Sequence, residues 1–214
     1  MSTDRGGPDR SVRTAGADGG WLAWASAGCP LSADGFGDAA CVSVRADHAL
    51  VIVIDGLGHG ALAEHAAEEA LESFSSLDPT TAQVSSVMNA LHERLRPTRG
   101  AAILLGIIDA ADGVAEFMSI GNIEASIWQA GIKSRRIPSV GGTIGYMMSQ
   151  PELFRVRIRP GDVLVAGTDG MRSAFLGVPP AAQPADRFAR ALLADWARTS
   201  DDALCLVVRL LETQ

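Results

Sequence analysis

The run Leu50-Val51-Ile52-Val53-Ile54 is continuously apolar and rich in β-branched side chains. That pattern predicts a strand buried on both faces. Residues 40–46 predict a strand before it, joined as a hairpin through the turn at Asp47-His48. A Gly-rich loop, Gly56 to Gly60, follows, and the period then becomes helical over residues 61–74, with Leu62, Ala66, Ala70 and Phe74 on one face. Asp78-Pro79 reads either as an N-cap with proline at the first helical position or as a turn just before the next helix, residues 81–95, which Pro97 closes.

From Ala101 the period falls to two. Strands are predicted over 101–108 and 114–120 around Asp112-Gly113, and over 124–129 and 132–137 across Ala130-Gly131. Further strands are predicted over 152–158 and 163–166 across Pro160-Gly161-Asp162, then a helix over 186–196 and a last strand over 203–211. Residues 1–20 mix Gly, Asp, Arg, Ser and Thr without periodicity, so a disordered leader is expected before one domain spanning 21–214. Many hairpin-connected strands with two adjacent helices inserted early give an α+β layout, with helices on the faces of a sheet pair, rather than alternating βαβ.

Composition narrows the function classes. A chain of 214 residues can bury roughly 70% of its unfolded surface without a disulfide or metal as a staple. Aromatics are sparse at 5%, and Ala and Val fill core positions instead; Trp21 and Trp24 are expected to pack. The net charge of −7, with no basic run, disfavours nucleic acid. Cys29, Cys41 and Cys205 match no zinc spacing, and Cys41 and Cys205 lie in apolar runs as small core residues. The polar start has no apolar h-region, and no stretch reaches the roughly eighteen apolar residues of a membrane span. A soluble, cytoplasmic protein is expected.

The acidic residues are the feature that carries chemistry. Asp38, Asp55, Asp169 and the pair Asp201-Asp202 each stand at the edge of an apolar strand, next to Gly or another Asp. Taken singly, each is a turn signal. Gathered in one place, such carboxylates would repel one another unless protons or cations intervened. Hard divalent cations such as Mg²⁺ or Mn²⁺ take oxygen ligands and keep several waters. Two of them about 3.5–4 Å apart can clamp a phosphoryl group and activate a water.

The series Gly37-Asp38, Asp55-Gly56-Leu57-Gly58-His59-Gly60, Gly121-Asn122, Gly161-Asp162 leading to Thr168-Asp169-Gly170, and Asp201-Asp202-Ala203 resembles the PPM/PP2C-type serine/threonine phosphatases. Within them it is most similar to the bacterial branch of SpoIIE and the stress-response phosphatases, in layout the stand-alone RsbX type. The resemblance covers residues 30 to 211 and implies a PP2C-like α-β-β-α sandwich, two antiparallel sheets flanked by helix pairs, with the metals at one end. It implies Mn²⁺ or Mg²⁺, two ions, and a metal-activated water as the nucleophile. The implied substrates are phosphoserine or phosphothreonine of a partner protein, often a STAS-domain regulator in partner-switching or stressosome control. By the same resemblance Asp55 bridges two metals, the Gly56 carbonyl binds one directly or through water, Asp38 serves the second, and Asp169 and Asp201 complete the first. Asp202 stands as the alternative to Asp201.

Arg99-Gly100-Ala101-Ala102 lacks the hydroxyl that many relatives carry after the Gly, and Leu204 stands where Thr is usual. No arginine matches the phosphate-binding arginine of eukaryotic relatives, so phosphate is expected to rest on the metals. These departures motivate a second reading, a catalytically weak or inactive binding module for a signalling regulator. A third reading, a nucleotide-binding enzyme, is disfavoured by the spacing of Gly56-x-Gly58-x-Gly60, which is wrong for a dinucleotide loop, and by the absence of a Walker lysine. His59 is read as hydrogen-bonding or capping the next helix, with a general acid or a supporting partner of the site as the alternative; Gly121-Asn122 as a turn with a left-handed Asn, with positioning of the active-site loop as the alternative; and Gly141 to Gly145 as a flexible flap near substrate. Met147-Met148 either contacts a partner or fills a core gap.

Overall fold

Leu50, Ile52 and Ile54 point to one side of their strand and Val51 and Val53 to the other, and all five are fully buried. Each such side chain contributes roughly 1.5–3 kcal/mol on burial. This two-sided strand, β4 (His48–Gly56), forms the middle of the molecule. The computed structural model describes residues 15–18, 20–129 and 134–212.

The remaining strands in chain order are β1 (Ala15–Asp18), β2 (Leu22–Cys29), β3 (Asp38–Arg45), β5 (Ala101–Asp109), β6 (Val114–Ile120), β7 (Glu124–Trp128), β8 (Arg135–Ile137), β9 (Phe154–Arg157), β10 (Val163–Gly167) and β11 (Ala203–Leu210). They form two antiparallel sheets. One has the order β1-β2-β11-β10-β7-β8, the other β3-β4-β5-β6-β9. Three core layers result. Val51, Val53, Leu104 and Phe117 meet Leu22, Leu164, Leu206 and Val208 between the sheets. Leu50, Ile52, Ile54 and Ile103 meet the helices α1 (Ala61–Ser75) and α2 (Val84–Leu95). On the outer face of the other sheet, Ala25, Val165 and Val207 meet α3 (Ala185–Trp196) and a short 3-10 turn, Ser173–Gly177. The α-β-β-α sandwich is therefore present, with one helix and a 3-10 turn in place of a second helix pair.

Several local expectations change. Strand β1 lies inside the leader expected to be structureless and pairs with β2, while residues 1–14 and 19 fall outside the described residues. The turn at Ala130-Gly131 also falls outside them, although β7 and β8 pair as the hairpin requires. On α1, Leu62 is 54% exposed and the buried face is Ala63, Ala66, Ala67, Ala70 and Phe74. Asp78 makes a turn rather than a cap: its Oδ1 accepts from Thr80 N at 3.0 Å, and α2 starts only at Val84. Trp21 and Trp24 are buried, as expected, and burial of Cys205 pushes its thiol up to about 12. Among the described residues no helix is long and apolar enough to cross a membrane.

Candidate active site

Antiparallel pairing returns alternate strand ends to one pole. Asp38 opens β3 and Asp55 nearly closes β4, and the two are direct register partners. On its other side Asp55 is paired with Ala102 of β5. Side chains at paired positions share a face of the sheet, and Val53 and Ala102 place that face between the two sheets. The second sheet brings Thr168-Asp169 from the end of β10 and Asp201-Asp202 from the approach to β11 to the same pole.

Asp38 is buried, and its Oδ2 accepts a hydrogen bond from Thr168 Oγ1 at 2.7 Å. Burial first, and then the Asp55 carboxylate, hold Asp38 well above the ordinary carboxylate range, against the pull of the Thr168 hydroxyl. Asp55 is pushed up to about 7 by burial, then by Asp169 and Asp201, with the Asn122 amide opposing. Its Oδ2 is buried with no hydrogen-bond partner. Asp201 is raised by burial and by Asp169, against the Asp202 N–H and the His59 ring. None of the ion pairs among the described residues includes any of these carboxylates.

The backbone around the cluster is tightly tied. Gly56 N donates to Gly37 O at 3.0 Å, and Leu57 N to Gly100 O at 2.9 Å. A Cβ on Gly56 would lie 2.2 Å from Ala63 O, so the close approach of α1 to the end of β4 demands glycine there. Asp202 has a different task from Asp201. Its Oδ1 accepts from Leu31 N at 2.6 Å and its Oδ2 from Gly37 N at 3.0 Å, so it clamps the loop that delivers Asp38. Asp201 spends Oδ1 on Asp202 N at 2.9 Å.

Three sequence expectations need correction. Asn122 is not in a left-handed conformation; Gly121 takes that role at φ 101°, and Asn122 Nδ2 donates to Asp169 Oδ2 at 2.5 Å. His59 makes no cap, since Gly60 is the N-cap of α1 without a side-chain bond; its ring instead opposes the rise of the neighbouring Asp201 carboxyl. The Gly141 to Gly145 segment is pinned: Ile144 exchanges two backbone bonds with Ala101, and Gly145 N donates to His92 Nδ1 at 3.0 Å. Gly141 is exposed, as are Tyr146 and Met147 at the apex just beyond the segment, while Met148 is partly buried against the helix-side core. Gly161-Asp162 lies at the opposite pole, where Asp162 Oδ2 accepts from Arg159 N. The buried Thr168 was part of the Thr168-Asp169-Gly170 motif but was given no role of its own; a hydroxyl between an apolar strand and an Asp-Gly turn was the available signal. An apolar cleft of about 280 Å³ at that opposite pole, between Trp21, Ile158 and Leu210, lacks clustered carboxylates.

The donor set suits a hard divalent cation in charge and atom type. It offers several carboxylates without a cation and one buried, orphaned oxygen on Asp55. Among the described residues no three His, Cys, Asp or Glu side chains form a ready-made ligand group. Mg²⁺ needs none, because one or two carboxylates plus waters hold it.

A family model described as Stage II sporulation protein E (SpoIIE) matches residues 45–211. The chain belongs to the SpoIIE family. Its members are PP2C-type phosphatases, and the two antiparallel sheets with their helices are the PP2C-like fold. A structure described under "The bacterial stressosome: a modular system that has been adapted to control secondary messenger signaling" is 26% identical, with a TM-score of 0.80 over 88% of this chain and 99% of the other. RsbX in complex with magnesium is 15% identical, TM-score 0.78, over 94% of this chain and 100% of RsbX. The PP2C phosphatase domain of SpoIIE from Bacillus subtilis, solved with a fragment of its regulatory domain, is 18% identical, TM-score 0.72, over 88% of this chain and 63% of that one. No curated protein sequence matches the chain.

Proposed function

We propose that this SpoIIE-family chain is a Mn²⁺- or Mg²⁺-dependent phosphatase that removes phosphate from serine or threonine of a regulatory partner protein. A STAS-domain protein of a partner-switching or stressosome pathway in the cytoplasm is the proposed substrate. The observation that carries the reading is the paired position of the buried Asp38 and the half-buried Asp55, with Asp55 Oδ2 buried and left without a partner. Carboxylates so crowded are stable at neutral pH only with protons or cations among them.

Asp55 and the Gly56 carbonyl, with Asp169 and Asp201, would hold one ion, and Asp55 with Asp38 the second. When bound, the ions would acidify a shared water and neutralise charge on the phosphoryl oxygens. The chain's own contribution is orientation. Thr168 fixes Asp38, Asn122 fixes Asp169, and Asp202 fixes the loop before Asp38. The test is release of phosphate from a phosphorylated STAS protein with Mn²⁺, alongside Asp55→Asn and a chelator control. Full activity surviving either change would sink the proposal.

The apolar residues Ala101, Ala102 and Leu204, standing where relatives carry hydroxyls, favour a second reading, a binding module without turnover. Calorimetric titration with Mn²⁺ separates the two. Micromolar binding supports the enzyme, and no heat of binding supports the module.

A further inference from the structure

An open groove of about 370 Å³ leads away from Asp169, lined by Asn122, Glu124, Ser139, Asp169, Ser173 and Arg198 among others. That volume falls within the roughly 300–1,000 Å³ of ligand-binding clefts. Almost every polar group in it is already engaged. Asn122 donates to Asp169, Ser139 to Gly121 O at 2.9 Å, and Ser173 to Glu124 Oε1 at 2.8 Å, while Glu124 Oε2 stands 3.8 Å from Arg136. Two groups are exceptions: Glu124 Oε2, buried without a hydrogen-bond partner, and Arg198, which is exposed and whose guanidinium has no hydrogen-bond or ion-pair partner among the described residues.

The backbone of Arg198 is nonetheless held in place. Its N–H donates to Gly170 O at 2.7 Å, and Met171 bridges Ala197. The fold therefore pins this cation to the same turn that presents Asp169. Guanidinium is a planar fork suited to a carboxylate. In a chain of net charge −7, one uncommitted arginine facing a groove with hydroxyl and amide groups does not suit a polyanion such as nucleic acid.

We propose that this groove is a substrate subsite for the segment of the phosphoprotein next to its phosphorylated residue, with Arg198 pairing to an acidic side chain of that segment. The inference rests on the phosphatase reading and adds a sequence preference to it.

The test uses the full chain, wild type and Arg198→Ala, with two short phosphoserine peptides carrying either Glu or Gln beside the phosphoserine. Two readouts are taken: kcat/KM with Mn²⁺, and fluorescence anisotropy of labelled peptides in chelator, where no turnover occurs. Wild type is expected to favour the Glu peptide about tenfold, the effect of one charge-assisted pair partly exposed to water. Arg198→Ala should bring the Glu-to-Gln ratio close to one, and Arg198→Glu should favour a peptide with Lys at the same place. An unchanged ratio in Arg198→Ala overturns the inference, as does a wild type that does not distinguish the peptides. A variant that weakens both peptides equally also overturns it, for Arg198 would then act on the phosphate shared by both. If no peptide turns over, the phosphatase reading fails by itself. Anisotropy then decides: Glu-selective binding lost in Arg198→Ala upholds the subsite, and unselective binding overturns it.

Discussion

Asp38 and Asp55 face each other across the β3–β4 ladder as direct register partners, both on the inner face of the sheet. Like charges directly opposite destabilise a strand pair, so this pairing is a liability to the bare fold and a resource for binding cations. The sign of the pH effect follows. Asp55 titrates at about 7 in the folded chain against about 3.9 when unfolded. Between those values the native state keeps a proton that the unfolded chain releases, so stability is full below about pH 4 and is lost as pH rises through about 7. The metal-free melting temperature should fall over that window. Asp55→Asn should flatten the fall and raise the midpoint above pH 7, while Mn²⁺ should restore wild type there and leave Asp55→Asn unmoved. Thermal melts in chelator and in Mn²⁺ across that range check this.

Thr168→Val removes the donor to Asp38 and leaves Leu204 N, which donates to Thr168 Oγ1 at 3.0 Å, without a side-chain acceptor. The cost should be about 1–3 kcal/mol, or roughly 2–12 °C in melting temperature for a chain of this size. Thr168→Ser should recover most of it. Differential scanning calorimetry of the two variants gives the comparison.

Asp201 and Asp202 should separate cleanly. Asp202→Ala strips the acceptor from two backbone N–H groups and should cost about 2–4 kcal/mol. Asp201→Ala removes a group raised by burial and then by Asp169 and should change stability by less than about 1 kcal/mol. Mn²⁺ affinity should fall at least tenfold in Asp201→Ala at a temperature where it is fully folded. Equal loss of stability in both variants would contradict the division of labour.

Gly56→Ala places a methyl 2.2 Å from Ala63 O, so α1 or the end of β4 must move. Overpacking of this kind costs about 1–3 kcal/mol. Because Gly56 follows Asp55, metal-dependent turnover should fall further than stability alone accounts for. Turnover measured well below the melting temperature, beside the melt itself, separates the two effects.

Much of this was legible in the chain because period and turn chemistry agree locally. The apolar run at Leu50 to Ile54 announced its two-sided burial, and Gly56 to Gly60 announced the turn into α1. The convergence of Asp38, Asp55, Asp169 and Asp201 was not legible from spacing, since it depends on which strand ends share a pole, and only the resemblance to a family supplied it. The role of Asn122 was hidden because its partner Asp169 lies 47 residues away. Asp202 was ambiguous with Asp201 because adjacent residues have the same composition signal, and only the N–H groups of Leu31 and Gly37 distinguish them. Leu62 fitted the helical period but faces water, since the small side chains of Ala63, Ala66, Ala67 and Ala70 let α1 lie close to the sheet.

The central claim is that the carboxylate pole is a metal-dependent phosphatase centre organised by Asp55. The most direct measurement is the rate of p-nitrophenyl phosphate hydrolysis by the purified chain as Mn²⁺ is titrated into chelator-treated protein, for wild type and Asp55→Asn. The account predicts a rate that is negligible without metal, saturates with Mn²⁺ in wild type, and falls at least a hundredfold in Asp55→Asn. A rate independent of Mn²⁺, or the same in both proteins, would contradict it.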